Sequence, residues 1–503
     1  MQPFQPLLID PNHIAAAIRP WLVESRWFAQ KGHAIRNIAV HDFVQLPCQT
    51  TPTAFALVDV SGGAAQQEAI RYAVPITGKD SAAMPLADAA ASQEFAGWLI
   101  RAMLTEATLT GRAGRLIGHH LAAGASGIDI DPAFTLPLSI TCLGGDASNT
   151  SLIVQSGDWS VIVKLMRRCR TGIHPEVEVG TFFAEQTAWS STPRLMGWLE
   201  YVSDGSVSDS TAIATVHEFA AGCTNAWDRL ADLLTQHADP ATASFAADTD
   251  SQTHRLVAAL GHTTAAMHQT LASRGDLPAF APQAVTPAHR RTAAAHMVDH
   301  ALHVFSLLAS HLPDLPPPLA ARLEAVAAKR DQLIAQLEAL ATLAISPASP
   351  VQIRVHGDYH LGQVLVAGEK HSGTPRVLVI DFEGEPGRTL AERRATTSAF
   401  KDVAGMCRSF DYLLRHMRRR PGAVAVHPDS STLDAMEATF LTAYRETACG
   451  QPWWPADPQE ACTLLGIYKL DKALYELAYE LHNRPDWIEV PLAAIEASQR
   501  NTA

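Results

Sequence analysis

Two kinds of hydrophobic pattern share this chain. Up to about residue 220 the apolar positions fall mainly in short runs of period two, and beyond Gly222 they recur at helical spacing. Pro11 to about Glu24 predicts an opening helix. The runs Ile35–Leu46, Ala54–Val60 and Ala69–Ile76 then alternate apolar with polar positions, with Gly62-Gly63 between two of them, which predicts an antiparallel sheet. Ala87–Leu109 reads as a helix, and Leu116–Gly127 is rich in Gly and Ala. Around residue 138 the pattern changes: Leu138–Leu143, Ser151–Val154 and Ser160–Leu165 are strand-like, with Gly157-Asp158 as a turn between the last two. A helix from Glu176 to about Trp189 and a strand over Ala212–Phe219 follow.

The second half is mainly α. Asp239–Thr253, rich in Ala, Ser, Thr and Asp, reads as a loose insertion. Four prolines between Pro313 and Pro318 separate two helical patterns, and Gln352–His356 and Arg376–Asp381 are the remaining strands. The expected fold class is α+β, with boundaries that divide the chain into 1–135, 136–221 and 222–503.

Composition narrows the function. A chain of 503 residues with 47% hydrophobic and 18% charged positions is long enough for two or three packed units. Thirty-nine Lys and Arg against 51 Asp and Glu give a net charge of −12, a poor match to nucleic acid, whose phosphates need a basic surface. No apolar run reaches the roughly 18 residues of a membrane span, and the N-terminus lacks the pattern of a secretory signal. Seven cysteines without a CxxC pair fit a reducing cytoplasm and read as small buried hydrophobes.

The most informative stretch is His356-Gly357-Asp358-Tyr359-His360-Leu361-Gly362-Gln363. It sets an amide side chain five residues after an Asp, and Asp381 follows 18 residues after Gln363, at the end of another strand. This is the layout of kinase-like phosphotransferases: Asp358 takes the proton of the acceptor hydroxyl, while Gln363 and Asp381 hold Mg²⁺ on the phosphates of ATP. His356 and His360, four apart, could ligate zinc on a helix, but Gly357, Gly362 and the strand-like flanks argue against a helix there. Asp358 could also merely cap a loop; the spacing to Asp381 favours chemistry.

Upstream, the loop around Ser148 and Asn149 can cover phosphates with its backbone N–H groups. Lys164, flanked by Val163 and Leu165, reads as the phosphate lysine, with Glu178 chosen over Glu176 and Glu185 as its partner carboxylate. Glu218 and Phe219 occupy the place of a hinge whose backbone meets adenine.

These stretches resemble the bacterial maltokinases, which share a protein-kinase-like fold with aminoglycoside phosphotransferases. The resemblance rests on Arg26-Trp27-Phe28 with Lys31-Gly32, Gly145–Ser151, Lys164-Leu165 with Gly172-Ile173-His174-Pro175, Gly197-Trp198-Leu199-Glu200, His356–Leu365, Ile380–Pro386, Lys401–Tyr412, and Tyr475–Leu481 with Asn483-Arg484-Pro485. It departs at Ala29-Gln30 and at Cys407. It implies a bilobal fold with an N-terminal cap subdomain in residues 1–135, a nucleotide-binding part of the N-lobe in 136–221, and a helical C-lobe with the catalytic loop and sugar site in 222–503. It also implies phosphorylation of maltose at its anomeric hydroxyl, giving maltose 1-phosphate for α-glucan synthesis, with a trehalose synthase as a possible partner. Other acceptors (another sugar, an amino sugar, an aminoglycoside) and a non-catalytic role as partner subunit of a trehalose synthase are the alternatives.

Lys472, Glu476 and Tyr479 fall at i, i+4 and i+7, a stripe suited to a sugar, or an exposed ion pair on a solvated helix. His360 and Arg408 are further sugar candidates, although Arg408 could instead lock the Asp402 helix. Trp27 and Phe28 read as cap core in preference to sugar-stacking rings.

Overall fold

A computed structural model describes residues 11–500 except 29–33, 49–50, 63–68, 79–85, 123–128, 136, 145–147, 158, 205–209, 237–250, 346–348, 368–372, 374 and 420–429. Ala29, Gln30, Lys31 and Gly32, the Gly145–Ala147 part of the phosphate loop, and residues 239–250 of the expected insertion lie outside the described residues. The chain forms two compact units, Met1–Ala221 and Gly222–Ala503.

In the first unit, α1 (Pro11–Leu22) precedes a four-stranded antiparallel sheet of β1 (Ile35–Leu46), β2 (Thr53–Gly62), β3 (Ile70–Thr77) and β4 (Ala87–Asp88), in that order. Strand β2 is apolar on both faces because both are covered. Ala54, Ala56, Val58 and Val60 pack in a cluster with Ile14, Ile18 and Leu22 of α1. Phe55 and Leu57 join a second cluster with Phe95 and Leu99 of α2 (Gln93–Leu104). Ser92 caps α2 by accepting from the Phe95 N–H at 3.1 Å.

A seven-stranded sheet follows, built from β5 (Thr108–Thr110), β6 (Gly114–His120), β7 (Ser139–Cys142), β8 (Asn149–Ser156), β9 (Trp159–Met166), β10 (Leu195–Ser203) and β11 (Ser210–Glu218). Its order is β5-β6-β10-β11-β9-β8-β7, and α3 (Pro175–Gln186) lies between β9 and β10 in sequence. The expected helix over 87–109 is therefore shorter, with a strand at each flank. Two strands, β6 and β10, went unread, because their Gly, His and Trp positions blur the alternation.

The two sheets of this unit are joined through the end of β9. The Ala73 N–H donates to the Arg167 carbonyl at 2.8 Å, and the Cys169 N–H donates to the Arg71 carbonyl at 2.9 Å. The Arg167 side chain is 1% exposed. Its Nη2 donates to Asp88 Oδ2 at 2.6 Å, its Nε donates to Thr150 Oγ1 at 2.9 Å, and its guanidinium lies 4.6 Å over the Trp27 ring. Trp27 and Phe28 are buried against Tyr72, so they are core residues.

The second unit holds a small antiparallel sheet of β12 (Cys223–Asn225), β13 (Val364–Ala367) and β14 (Arg376–Val379). Its helices are α4 (Ala226–Gln236), α5 (Gln252–Leu271), α6 (Pro287–His311), α7 (Pro317–Ala327), α8 (Arg330–Thr342), α9 (Leu390–Arg394), α10 (Phe400–Arg419), α11 (Ser430–Ala448), α12 (Pro458–Asn483) and α13 (Glu489–Arg500). Leucine-rich faces of α6, α7, α8, α12 and α13 make its main core. Gln352 and Ile353 form only isolated bridges, to Gln283 and Thr397, so the strand expected over Gln352–His356 is an irregular segment. All seven cysteines are free thiols. No described helix is long and apolar enough to cross a membrane.

Replacing Arg167 by Met leaves the Asp88 carboxylate without its buried cation. The expected loss is about 2–4 kcal/mol of unfolding free energy, below the full cost of breaking a buried pair because Asp88 is partly exposed. Urea denaturation measures it.

Candidate active site

Lys164 sits on β9 between Ser151 of β8 and Thr215 of β11, in the interior of the seven-stranded sheet. Its Nζ donates to Glu176 Oε2 at 3.1 Å. The partner is therefore Glu176, in the first turn of α3, and the expected Glu178 is displaced: two residues along a helix turn a side chain by about 200°. Both members of the pair are buried, and His217 Nε2 lies 3.1 Å from the other Glu176 oxygen. Burial alone would raise the pKa of Glu176, but the charges of Lys164 and the neighbouring histidines outweigh it and hold the carboxyl well below the usual range. Ser148 lies just before β8, and Asn149 begins it, paired with Met166. The N–H groups of Glu218 and Phe219 donate to the carbonyls of Arg194 (3.0 Å) and Ser160 (3.2 Å). Both N–H groups are therefore engaged within this unit.

The second unit assembles the 356–363 loop from the backbone up. Asp402, fully buried on α10, accepts from the His356 N–H at 2.8 Å, the Gly357 N–H at 2.9 Å and His268 Nε2 at 3.1 Å. His268 Nδ1 in turn lies 2.7 Å from the Tyr444 hydroxyl, so a ring protonated on Nε2 satisfies both neighbours. Burial would raise the Asp402 pKa, yet its hydrogen bond with His268, the nearby histidines and the Gly357 N–H hold it below the ordinary value. His356 Nε2 donates to the Ile380 carbonyl at 2.9 Å, its Nδ1 accepts from the Asp358 N–H at 3.3 Å, and its ring packs on Phe382. One imidazole thus fixes the loop of Asp358 to the loop of Asp381.

The second loop is bent sharply. Asp381 has φ +67° and Gly384 φ +71°, while Gly357 across from it has φ +88°. A Cβ on Gly357 would lie 3.4 Å from the Gly384 Cα, so the two loops approach through glycines. A left-handed non-glycine residue costs roughly 1–3 kcal/mol, and such strain gathers where a side chain must be aimed. Here Asp381 Oδ2 accepts from Gln363 Nε2 at 2.8 Å. The amide and carboxylate that the spacing singled out therefore meet. Turning the Gln363 amide over would offer its oxygen beside that of Asp381, a donor pair suited to a hard divalent cation.

Asp358 Oδ1 accepts from Lys472 Nζ at 3.2 Å, and the same ammonium donates to Glu385 Oε1 at 3.2 Å. Glu385 also accepts from Lys401 at 3.3 Å and lies 3.5 Å from Arg388. Burial acts to raise its pKa, but these cations prevail and bring it to about 2. Beside this network opens a cavity of about 340 Å³. Gly357 and Tyr359, the two neighbours of Asp358, line it, together with His296 and His300 of α6 and Lys472 and Tyr475 of α12.

The predicted sugar stripe is divided by the structure. Lys472 lines the cavity, whereas Glu476 accepts from Arg408 Nε at 2.9 Å and Nη2 at 2.8 Å. Arg408, 2% exposed, also donates to Asp411 at 2.6 Å. It locks α10 to α12, and neither Arg408 nor Glu476 lines the cavity. Tyr479 is 45% exposed against Arg484, about 10 Å along the helix axis from Lys472. His360 Nδ1 accepts from the Gly362 N–H at 3.0 Å, and burial lowers its pKa, so the ring shapes the loop as a neutral group. Tyr475, Glu385 and Lys401 were missed as site residues, although each lies in a stretch that carries the family resemblance.

A two-unit chain with this strand–loop–strand element is a kinase-like phosphotransferase. Residues 139–384 match the phosphotransferase enzyme family. Residues 21–109 match the maltokinase N-terminal cap domain, so the chain joins that cap to a phosphotransferase fold. Among its relatives, a glucosamine kinase from Streptacidiphilus jiangxiensis is 28% identical over 352 residues, 69% of this chain and 70% of that protein. A glucosamine kinase from Mycolicibacterium smegmatis is 30% identical over 181 residues, 35% of this chain and 40% of that one. The solved structure of a glucosamine kinase with glucosamine, ADP and inorganic phosphate superposes with a TM-score of 0.62 at 22% identity, covering 98% of this chain and 99% of that one. This likeness shows the shared fold.

Asp402→Asn places an NH₂ where a carboxylate oxygen now accepts from the loop or from His268. The variant should lose about 1–3 kcal/mol for the donor left unmet, read by chemical denaturation. Glu385 supplies a second check. Its carboxyl moves from 4.5 to about 2 on folding, so its stabilisation is complete above about pH 4.5 and is lost as pH falls toward 2. The stability gap between wild type and Glu385→Gln should be about 3 kcal/mol at neutral pH and close over that window.

Proposed function

We propose that this protein transfers the γ-phosphoryl group of ATP to the anomeric hydroxyl of maltose, giving maltose 1-phosphate. The observation that carries the reading is the disaccharide-sized cavity lined by both neighbours of Asp358, with Tyr468, Tyr475 and polar side chains around them. In this reading the acceptor hydroxyl lies against Asp358. Its O–H proton passes to the carboxylate as the oxygen bonds to the γ-phosphorus, and the bond to the β-phosphate oxygen breaks to release ADP. Lys164, held by Glu176, steadies the α- and β-phosphates. Gln363 and Asp381 would hold Mg²⁺, which neutralises charge on the β- and γ-phosphates.

Glucosamine is the second acceptor to weigh, since the relatives above carry its name. Its ammonium would enter a cavity that Lys401 and Lys472 also line, and of the carboxylates there (Glu385, Glu392 and Asp471) the buried Glu385 already carries both lysines. A neutral sugar avoids that like-charge contact.

Incubating the protein with ATP, Mg²⁺ and either maltose or glucosamine should give an anomeric phosphate on maltose by ³¹P NMR at the higher kcat/KM. A higher kcat/KM for glucosamine, or a phosphate at another position, would overturn the acceptor assignment. Asp358→Asn should retain nucleotide binding and lose at least about 10²-fold in kcat.

A further inference from the structure

The Lys472 ammonium is held in a three-sided cradle. Asp358 and Glu385 each accept from it at 3.2 Å, and the ring of Tyr475, one turn along α12, lies 4.7 Å away with the cation over its face. Glu385 does not require this lysine for charge balance, because Lys401 and Arg388 already face it. Asp358, by contrast, is the carboxylate that would receive the acceptor proton, and it meets the cation through Oδ1.

That contact is puzzling for a lysine that only binds sugar. A cation seated on the catalytic carboxylate occupies an oxygen that the acceptor hydroxyl could use, a disadvantage if proton removal were the difficult part of the step. Phosphoryl transfer through a loose transition state depends instead on positioning and on neutralising the phosphoryl oxygens. An acceptor oxygen hydrogen-bonded to Asp358 would sit beside a carboxylate that Nζ already touches, with the phosphorus it attacks next to it. The loop itself supplies no positive charge there: His356 to Gln363 contains neither Lys nor Arg, and His360 is a neutral ring turned to its own backbone.

We propose that Lys472 is a catalytic residue of the transfer, its ammonium contacting an oxygen of the γ-phosphoryl group as that group passes to the acceptor beside Asp358. The inference rests on the kinase reading above and deepens it. The acceptor O–H bond breaks with its proton going to Asp358, the new O–P bond forms, and the bond from phosphorus to the β-phosphate oxygen breaks. Lys472 gives up no proton. It passes from its two carboxylates to the developing charge, and Glu385, with Lys401 and Arg388 beside it, remains balanced when the ammonium leaves.

The test compares Lys472→Met and Lys472→Ala with wild type, with kcat and KM for maltose measured across the pH range. The expected result is a fall of about 10²–10³-fold in kcat at the pH plateau, with KM for maltose within about threefold. Added methylammonium should restore turnover to Lys472→Ala in proportion to its concentration, which a structural role would not allow. A raised KM with kcat held would make Lys472 a sugar ligand and overturn the proposal. So would a profile displaced along the pH axis with its plateau unchanged, or a loss of kcat that no amine restores. Wild type run in parallel separates this from the acceptor question. Turnover with a sugar other than maltose moves the same comparison to that sugar and sinks only the maltose assignment. No ATP-dependent turnover with any sugar sinks both.

Discussion

The architecture of the second unit depends on one buried carboxylate. Asp402 lies on α10 between Lys401 and an apolar stretch that starts at Val403, and two backbone N–H groups and an imidazole converge on it. A charge taken out of water is tolerable only when such donors replace the lost solvent. Meeting that condition also dictates where the 356–363 loop can run. From there the constraint passes outward. His356, placed by its own N–H on Asp402, reaches Ile380 with its ring, and Asp381 next to it is held in a left-handed conformation against Gln363. Polar groups on three segments (Asp402 on α10, His356 and Gln363 in the loop, and Asp381 after β14) are thereby aimed by a single electrostatic requirement, with little help from regular secondary structure. Gly405 completes the fit: a Cβ there would lie 2.5 Å from the Tyr359 carbonyl oxygen, so α10 can approach the loop only with a glycine at that point.

How much of this could be read from sequence varied with the range of the interaction. Strand β1 was predicted with its observed ends because alternation is a local signal, and the mixed α+β class followed from where alternation stops. The meeting of Gln363 with Asp381 was also legible, since both flank one strand–loop–strand element and the spacing constrains them. Long-range polar pairing was not. Nothing in the order of residues says that Arg408 turns to Glu476, 68 positions away, or that Glu176 in place of Glu178 faces Lys164. These choices depend on which helix face meets which strand. Asp402 did leave a trace, a lone carboxylate between Phe400 and the apolar Val403-Ala404 on a helix, a placement that is costly unless donors surround it.

Charge in the cavity region is arranged as alternating pairs. Lys401, Glu385, Lys472 and Asp358 form a chain in which each inner member touches two opposite charges. Such a chain is stiff at its inner members, because Glu385 and Lys472 are restrained from two sides and keep a partner if one contact is exchanged. That property suits a place where an anionic group must arrive and depart.

The backbone bonds that tie Arg167 and Cys169 to β3 carry a lesson for evolution and engineering. The cap is stitched into the continuation of the strand that bears Lys164, so it cannot have been added as a bead on a string. A chimera that borrows the cap of a relative would have to import residues 167–169, Asp88 and Trp27 as one inheritable block, or the graft would tear the sheet edge it was meant to complete.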